Sequence, residues 1–450
     1  MKNTKLSYTY LIIIHALIAL AVFALPFLSK IYALIMPIFG FYIVYKSKNK
    51  NNEVLLVAAY MIGVEVFLRM TDGNFNNEYI KFNVIFFMFL GMIYSNFSTN
   101  AFVYWFFLIL LIPGIIITST STDYDVDIKK SLFFNLSGPV CLAISSIYAF
   151  KRRISFSDMQ NIVIAMGLPI ITTTVYLFLY NPSVKDVVTG TQSNFETSGG
   201  FGPNQVSTIL GLGIFVFFTQ LILFSKSKKE IFLNAFLLLF VSYRGIVTFS
   251  RGGVITAVVM IICLMFLLYY FSNAKGKSKF ALVFIMTGLM GSGIWTYTSL
   301  QTSGLIGKRY ANQDAAGRTK KDNLGGREEI IDSEFQVFLE NPILGVGAGM
   351  GKEIRKETAL GANVASHNEI SRMMSEHGLF GIFGLVLLFI TPFILYINNR
   401  QHLYFLSFYV FWLLTINHAA MRTAAPAFVY ALTLLFVQIK IPEKPETSID

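Results

Sequence analysis

Long apolar runs broken by short polar links repeat along almost the whole chain. Each run is about 18 to 22 residues long, the length a helix needs to cross the hydrocarbon core of a bilayer. The pattern predicts spans at 8–28, 31–46, 53–70, 79–95, 101–118, 131–150, 160–180, 204–224, 230–249, 252–272, 279–299, 377–397, 402–417 and 421–438. The expected fold is all-α, a polytopic membrane helix bundle of about 12 to 14 transmembrane helices. The last pair of runs leaves room for a re-entrant piece. The first run follows "MKNTKLSYTY" with no clear small-residue cleavage site, and reads as a retained helix.

The links set the orientation. From a cytoplasmic N-terminus, every second link is "YKSKNKNNE", "YSNFSTN", "KRR", "SKSKKE", "SNAKGKSK", "NNRQH" and the tail "KIPEKPETSID", and most of these are rich in Lys and Arg. The links between them include the acidic "STSTDYDVDIKK" and the long "NPSVKDVVTGTQSNFETSGGFGPNQ". The positive-inside rule then puts both termini in the cytoplasm. The expected organisation is a membrane bundle at 1–299, a large extracytoplasmic loop at 300–376, C-terminal membrane helices at 377–440 and a cytoplasmic tail at 441–450. A loop this long carries function or structure of its own. Within it, "REEIIDSEFQVFLE" spaces Ile330, Ile331, Phe335 and Phe338 as an amphipathic helix with an acidic first turn, ended by Asn341-Pro342.

Composition narrows the class. The chain is 54% hydrophobic and 14% charged, which disfavours a soluble fold. Its net charge of +11 comes as short clusters between apolar runs, so the implied partner is the lipid bilayer and not nucleic acid. Cys141 and Cys263 lack metal-ligand spacing and read as packing residues. No internal repeat or low-complexity tract stands out.

Placed by depth, the polar residues inside or beside the spans gather at the outer face. Glu65 and Arg69 lie one turn apart on one helix face, Arg244 lies below the outer surface, Arg251 lies at its edge, and Asn204, His418 and Arg422 share that level. An arginine at mid-membrane costs about 2.5 to 3.5 kcal/mol on insertion scales, so several converging imply a water-lined or anion-binding cavity. Taken singly, Arg69 or Arg251 also reads as a residue snorkelling at the interface. Gly252 and Gly253 allow either close approach of a phosphate or a tight helix junction. The loop adds Arg327 at a helix start and His367, which titrates near neutral pH in its ordinary state. As a bland alternative, His367 caps a helix together with Ser366 and Asn368. The glycines at 345, 347, 349 and 351 need a tight turn but match neither nucleotide-loop spacing. His377 reads as an interfacial anchor, His15 and His402 have no chemical company, and "DYDVD" reads as a solvated loop, not a metal site.

"FSRGG" at a span boundary, then "GREE…F…NPILGVGAG", then "SHNEI…EHGLFGIFG" entering the next span, resembles the O-antigen ligase and polymerase superfamily. "GGFGPNQVS" is similar to a segment that precedes a span in many members. The resemblance covers roughly residues 195 to 400 and implies a GT-C-like membrane glycosyltransferase of the bacterial inner membrane, with its active site on the periplasmic face. It implies a glycan donor linked to undecaprenyl diphosphate, and an acceptor hydroxyl on lipid A core or another glycan. Position by position, the family's essential residues fall on Arg251, Arg327 and His367. The chemistry asks for positive charge on a departing diphosphate and a base for the acceptor hydroxyl. Arg251 and Arg327 are expected on the diphosphate and His367 as base or orienter, with Glu369 as the alternative base. Gly252, Asn204, Arg244, Arg69 and Arg422 are expected around the substrate. No metal and no cofactor is expected. A repeat-unit polymerase of the same superfamily is the near alternative. From other classes, a polysaccharide flippase predicts internal repeats and polar groups on both sides of a midplane site, and a non-catalytic scaffold leaves the three residues without a common purpose.

Overall fold

The computed structural model describes residues 7–121, 127–320, 327–357 and 366–439. The acidic link around "TDYDV" and the C-terminal tail lie outside them. The helices of the first half are α1 (Tyr8–Ala24), α2 (Leu28–Ser47), α3 (Glu53–Met70), α4 (Tyr79–Ser95), α5 (Phe102–Ser121), α6 (Ile128–Ala149) and α7 (Phe156–Tyr180). Then come α8 (Pro203–Thr219), α9 (Lys228–Ile246), α10 (Arg251–Phe271), α11 (Ala274–Gln301) and the short α12 (Leu305–Tyr310). The long link holds α13 (Arg327–Glu340) and α14 (Gly351–Glu357), and the chain closes with α15 (Glu369–Ile397), α16 (Phe405–His418) and α17 (Ala425–Leu432). The fold is an all-α polytopic bundle, with 8 helices among the described residues long and apolar enough to cross a membrane and three shorter apolar ones.

Each predicted span falls on a helix, but two boundaries differ for physical reasons. The run 421–438 is not one spanning helix: α17 has 8 residues and gives way to a turn and a strand, β2 (Phe436–Gln438), paired in parallel with β1 (Arg153–Ser155). Non-helical backbone at that depth is tolerated only where protein satisfies it. Here His402 Nε2 lies 2.9 Å from the Leu432 carbonyl, the Lys151 N–H donates to Leu434 at 2.9 Å, and Asn399 donates to Leu435 at 3.2 Å. His402 therefore does have chemical company, as the cap of a broken helix. The second difference is α15, which starts at Glu369 and not near 377, and breaks its helical geometry at Gly378, whose φ of 57° suits glycine. The added turns carry Glu369, Arg372 and Glu376, which hydropathy rejects but which are buried in protein. His377, expected at an interface, is 1% exposed and packs against Gly114 of α5.

α11 stands apart at the bundle's edge, while α17 is enclosed by its neighbours. α8 and α10 meet where neither can carry side chains: a Cβ on Gly211 would strike the Gly253 carbonyl, and one on Gly253 the Ser207 carbonyl. This contact sets the height of Arg251. Gly253→Val is expected to lower thermal stability by about 1 to 3 kcal/mol through overpacking. The check is a melting curve of the purified protein, and an unchanged midpoint would contradict the packing role.

Candidate functional site: an arginine and histidine cleft

The site grows from the turn between α9 and α10. Phe249 sits there at φ 57°, a conformation that costs a bulky residue of order 1–3 kcal/mol. Neighbours hold it in place. Thr197 Oγ1 donates to the Val247 carbonyl at 2.6 Å, the Asn194 N–H to Thr248 at 2.9 Å, and Ser207 Oγ to Ser250 at 2.7 Å. Ser250 Oγ donates to Asn204 Oδ1 at 2.8 Å, and Arg309 Nε of α12 donates to the Phe249 carbonyl at 2.9 Å. The strapped turn presents Arg251 at the start of α10, with its Nη1 3.5 Å from the Arg309 carbonyl.

The long link supplies the opposite wall. α13 forms over the residues its spacing predicts, but its inner stripe is not purely apolar. Glu334, 1% exposed, lies at its centre, while Phe335 is 47% exposed. The Glu334 carboxylate pairs with Arg355 at 2.8 Å and accepts from Ser366 Oγ at 3.1 Å and Ser371 Oγ at 2.6 Å. These bonds fasten α13, and Arg327 at its start, to the entrance of α15. Asn368 caps α15, accepting from the Ile370 and Ser371 N–H groups at 2.8 and 3.3 Å. His367 precedes that cap. Its carbonyl accepts from the Ala420 N–H at 3.0 Å, and the adjoining Ser366 carbonyl accepts from Arg422 Nη2 at 2.8 Å.

Arg327, Ile330, Ile331, His367, Asn417 and His418 line one cavity of about 110 Å³. His367 Nδ1 faces no hydrogen-bond partner among the described residues. Burial, then the charges of Arg422 and Arg327 and the neighbouring His418, bring its pKa down to about 3 from an ordinary 6.5. Its ring is therefore neutral at physiological pH and able to accept a proton. Arg327 is lowered by burial and by Arg251, and Arg309 by burial, Arg251 and Arg327. Arg251, Arg309 and Arg327 thus feel one another's charge. Among the described residues neither Arg309 nor Arg327 has a carboxylate within ion-pair distance, whereas Arg69, Arg355 and Arg372 all do.

The remaining expected ligands have other partners. Arg244 is fully buried and donates to the Asn181 and Leu177 carbonyls at 3.2 and 2.5 Å, so it closes the C-terminus of α7 and points away from the cleft. Arg69 joins Glu65 at 2.7 Å, Gln205 at 3.2 Å and the Asn77 and Arg422 carbonyls at 2.7 and 3.0 Å. Arg422 holds the His367 segment from behind, and Asn204 holds the α9–α10 turn. Gly252 leaves room for the ring of His418: a Cβ there would stand 2.5 Å from it. Glu369, the alternative base, is bound to Arg372 and accepts from the Met421 N–H at 3.3 Å. Among the described residues no group of three or more His, Cys, Asp or Glu could hold a metal.

Two residues had no motif to mark them. Arg309 sits in "GKRY" on a 6-residue helix. The sequence marks His418 only by its level at the outer face; its Nδ1 lies 2.7 Å from the Leu414 carbonyl and its Nε2 3.2 Å from Thr208 Oγ1. Its only advance signal was a polar residue closing an apolar run.

Fold and cleft together define a polytopic helical membrane protein with cations and histidines gathered at one end of its bundle. Residues 235–386 match the family model described as O-antigen ligase, so this segment is similar to that family. The matched segment contains Arg251, Arg309, Arg327 and His367. The chain is also similar to an uncharacterized protein of Haemophilus influenzae, 28% identical over 166 residues that cover 33% of this chain and 39% of that protein.

Two outcomes are expected. Removing one member of the buried Glu334–Arg355 pair, as in Glu334→Ala, should cost about 3–5 kcal/mol and open α13 to proteolysis; a wild-type cleavage pattern would show that the pair does not hold the helix. A histidine with a lowered folded pKa favours folding fully above its unfolded value, and that contribution is lost as pH falls from about 6.5 toward 3. The drop in melting temperature between pH 7 and pH 5 should therefore be smaller in His367→Gln than in wild type, measured in parallel melts.

Proposed function

We propose that the chain transfers a glycan from a polyprenyl diphosphate to an acceptor hydroxyl at the extracytoplasmic membrane surface, as an O-antigen ligase-like glycosyltransferase. The observation that carries this reading is that Arg327 and His367 line one cavity while Arg327 shares its electrostatic field with Arg251 and Arg309. A cluster of guanidinium groups suits a diphosphate, whose oxygens each accept fork-shaped, charge-assisted hydrogen bonds. The O-antigen ligase match over the same residues supports it. The basic links opposite the cleft support an outward-facing site.

In the reaction the acceptor oxygen forms a bond to the anomeric carbon as the bond from that carbon to the diphosphate breaks. The bonding pair leaves on the diphosphate, where Arg251, Arg309 and Arg327 stabilise it. The acceptor proton passes to His367, whose neutral ring has an unoccupied nitrogen. A ring brought down to about 3, first by burial and then by the charges of Arg422 and Arg327, is a weak base until an anion joins those charges. Bound diphosphate supplies that anion and raises the basicity of His367, so the base strengthens when the donor is in place. His418, against Gly252 and in the same cavity, sets the distance between α10 and the acceptor side. The acceptor in this reading is lipid A core or another glycan.

The experiment is transfer of labelled glycan from a polyprenyl-diphosphate donor in membranes of a deletion strain carrying each variant. Arg251→Ala and Arg327→Ala are each expected to lower turnover by about two to three orders of magnitude while inserting normally. Wild-type transfer by both would remove the reading. Loss of surface attachment with the length ladder intact identifies a ligase, and loss of the ladder a polymerase. The acid limb of kcat/KM, which reports the free enzyme, is expected below pH 5. A limb near 6.5 would mean that His367 is not under the field of these arginines.

A further inference from the structure

A second hollow lies at the end of the bundle opposite the cleft. It measures about 490 Å³ and is walled by the links α2–α3, α4–α5 and α6–α7. Lys48, Lys50, Lys151, Arg152 and Arg153 line it, and no carboxylate does. Glu53, next in the chain to the lining, accepts from the Asn51 N–H and side-chain amide at 3.1 and 3.0 Å at the start of α3.

Three features separate this hollow from the scattered basic residues common at a cytoplasmic surface. Its walls are built in. Asn49, 1% exposed, donates to Ser95 Oγ and Tyr148 Oη at 2.8 Å, and Arg152 donates to the Tyr148 carbonyl at 3.0 Å and to Asn52 Oδ1 at 3.2 Å. Its backbone is forced. Of the ten non-glycine residues with positive φ among the described residues, Lys48, Asn49, Asn52, Asn96 and Lys151 all line it. Such conformations cost energy and persist where the surroundings impose them. Its rim marks a depth: Tyr94 and Phe97 border it, and Phe97 lies 6.5 Å from Trp105, an aromatic grouping typical of the lipid headgroup level. Arg152 is engaged by these walls and Lys48 Nζ stands 4.0 Å from the Tyr45 ring centroid, which leaves Lys50, Lys151 and Arg153 as the other cations of the lining.

We propose that this hollow binds the phosphodiester headgroup of an anionic membrane phospholipid. Basic pockets between helices at headgroup depth take such anions, with each cation contributing to the attraction. The glycan-transfer reading plays no part in this inference, and either can fail without the other.

The test uses the full chain in phosphatidylcholine nanodiscs, with retained lipid read by native mass spectrometry and melting temperature read as phosphatidylglycerol replaces phosphatidylcholine. Wild type is expected to retain phosphatidylglycerol and melt higher with it. The variant Lys50→Gln/Lys151→Gln/Arg153→Gln keeps Arg152 and is expected to bind phosphatidylglycerol about fivefold more weakly per cation removed. A control, Lys226→Gln/Lys228→Gln/Lys229→Gln, removes three exposed cations from another link of the same series and is expected to behave as wild type. Equal loss in the control would overturn the site in favour of general surface charge. Equal stabilisation by inorganic phosphate alone would overturn the lipid assignment, and no preference for phosphatidylglycerol would overturn the proposal.

Discussion

The buried ion pair between Glu65 and Arg69 is the joint from which the cleft hangs. One oxygen of Glu65 holds Arg69 at 2.7 Å and the other accepts the Ala424 N–H at 2.8 Å, just before α17 begins. Arg69 in turn grips the Arg422 carbonyl, Gln205 at the start of α8 and the link after α3. With the Glu65 carboxylate buried, leaving it without Arg69 or the Ala424 N–H is costly. The turn between α16 and α17 therefore has one position, and that position delivers Arg422 to the back of the His367 segment. His418 and Ala420 occupy the same turn, so both histidines of the cavity are located by a bond neither makes.

The electrostatic design divides the arginines into two kinds. Those that hold the fold face carboxylates or helix-end carbonyls, as Arg69, Arg355, Arg372 and Arg244 do. Arg309 and Arg327 face other cations. Collecting like charges in a half-buried cleft is unfavourable in the empty protein, and the strained turn at Phe249 adds to that cost. Both are sustained by the glycine-tight contact of α8 with α10 and by the Glu334–Arg355 pair. The site is thus held open by structure and not by mutual attraction of its members.

Much of this was legible in the sequence because hydrocarbon imposes a length and an apolar character on each crossing. The amphipathic spacing of α13 was legible for a similar reason. Its central Glu334 was not, since a glutamate on a helix ordinarily faces water and its partner Arg355 comes 21 residues later. The break after α17 was hidden because apolar residues look alike in helical and extended backbone, and the groups that satisfy it come from two distant links. Gly252 and Gly253 were visible as an oddity, but their meaning lies in the Ser207 backbone and the His418 ring. Arg251, Arg327 and His367 were marked by motif; Arg309 and His418 had only their three-dimensional neighbours to mark them.

The separation between Glu65 and Ala424, 359 positions, also bears on biogenesis. α3 is synthesised early with a carboxylate and a guanidinium that have each other but not their later partners. The backbone group that completes them, the Ala424 N–H, emerges only as α17 begins. Insertion of the preceding helices can therefore proceed in order from the ribosome, while closure of the cleft waits for the turn between α16 and α17 to be threaded among them. A nascent chain cut short before residue 424 would hold most of its crossings and none of its assembled site.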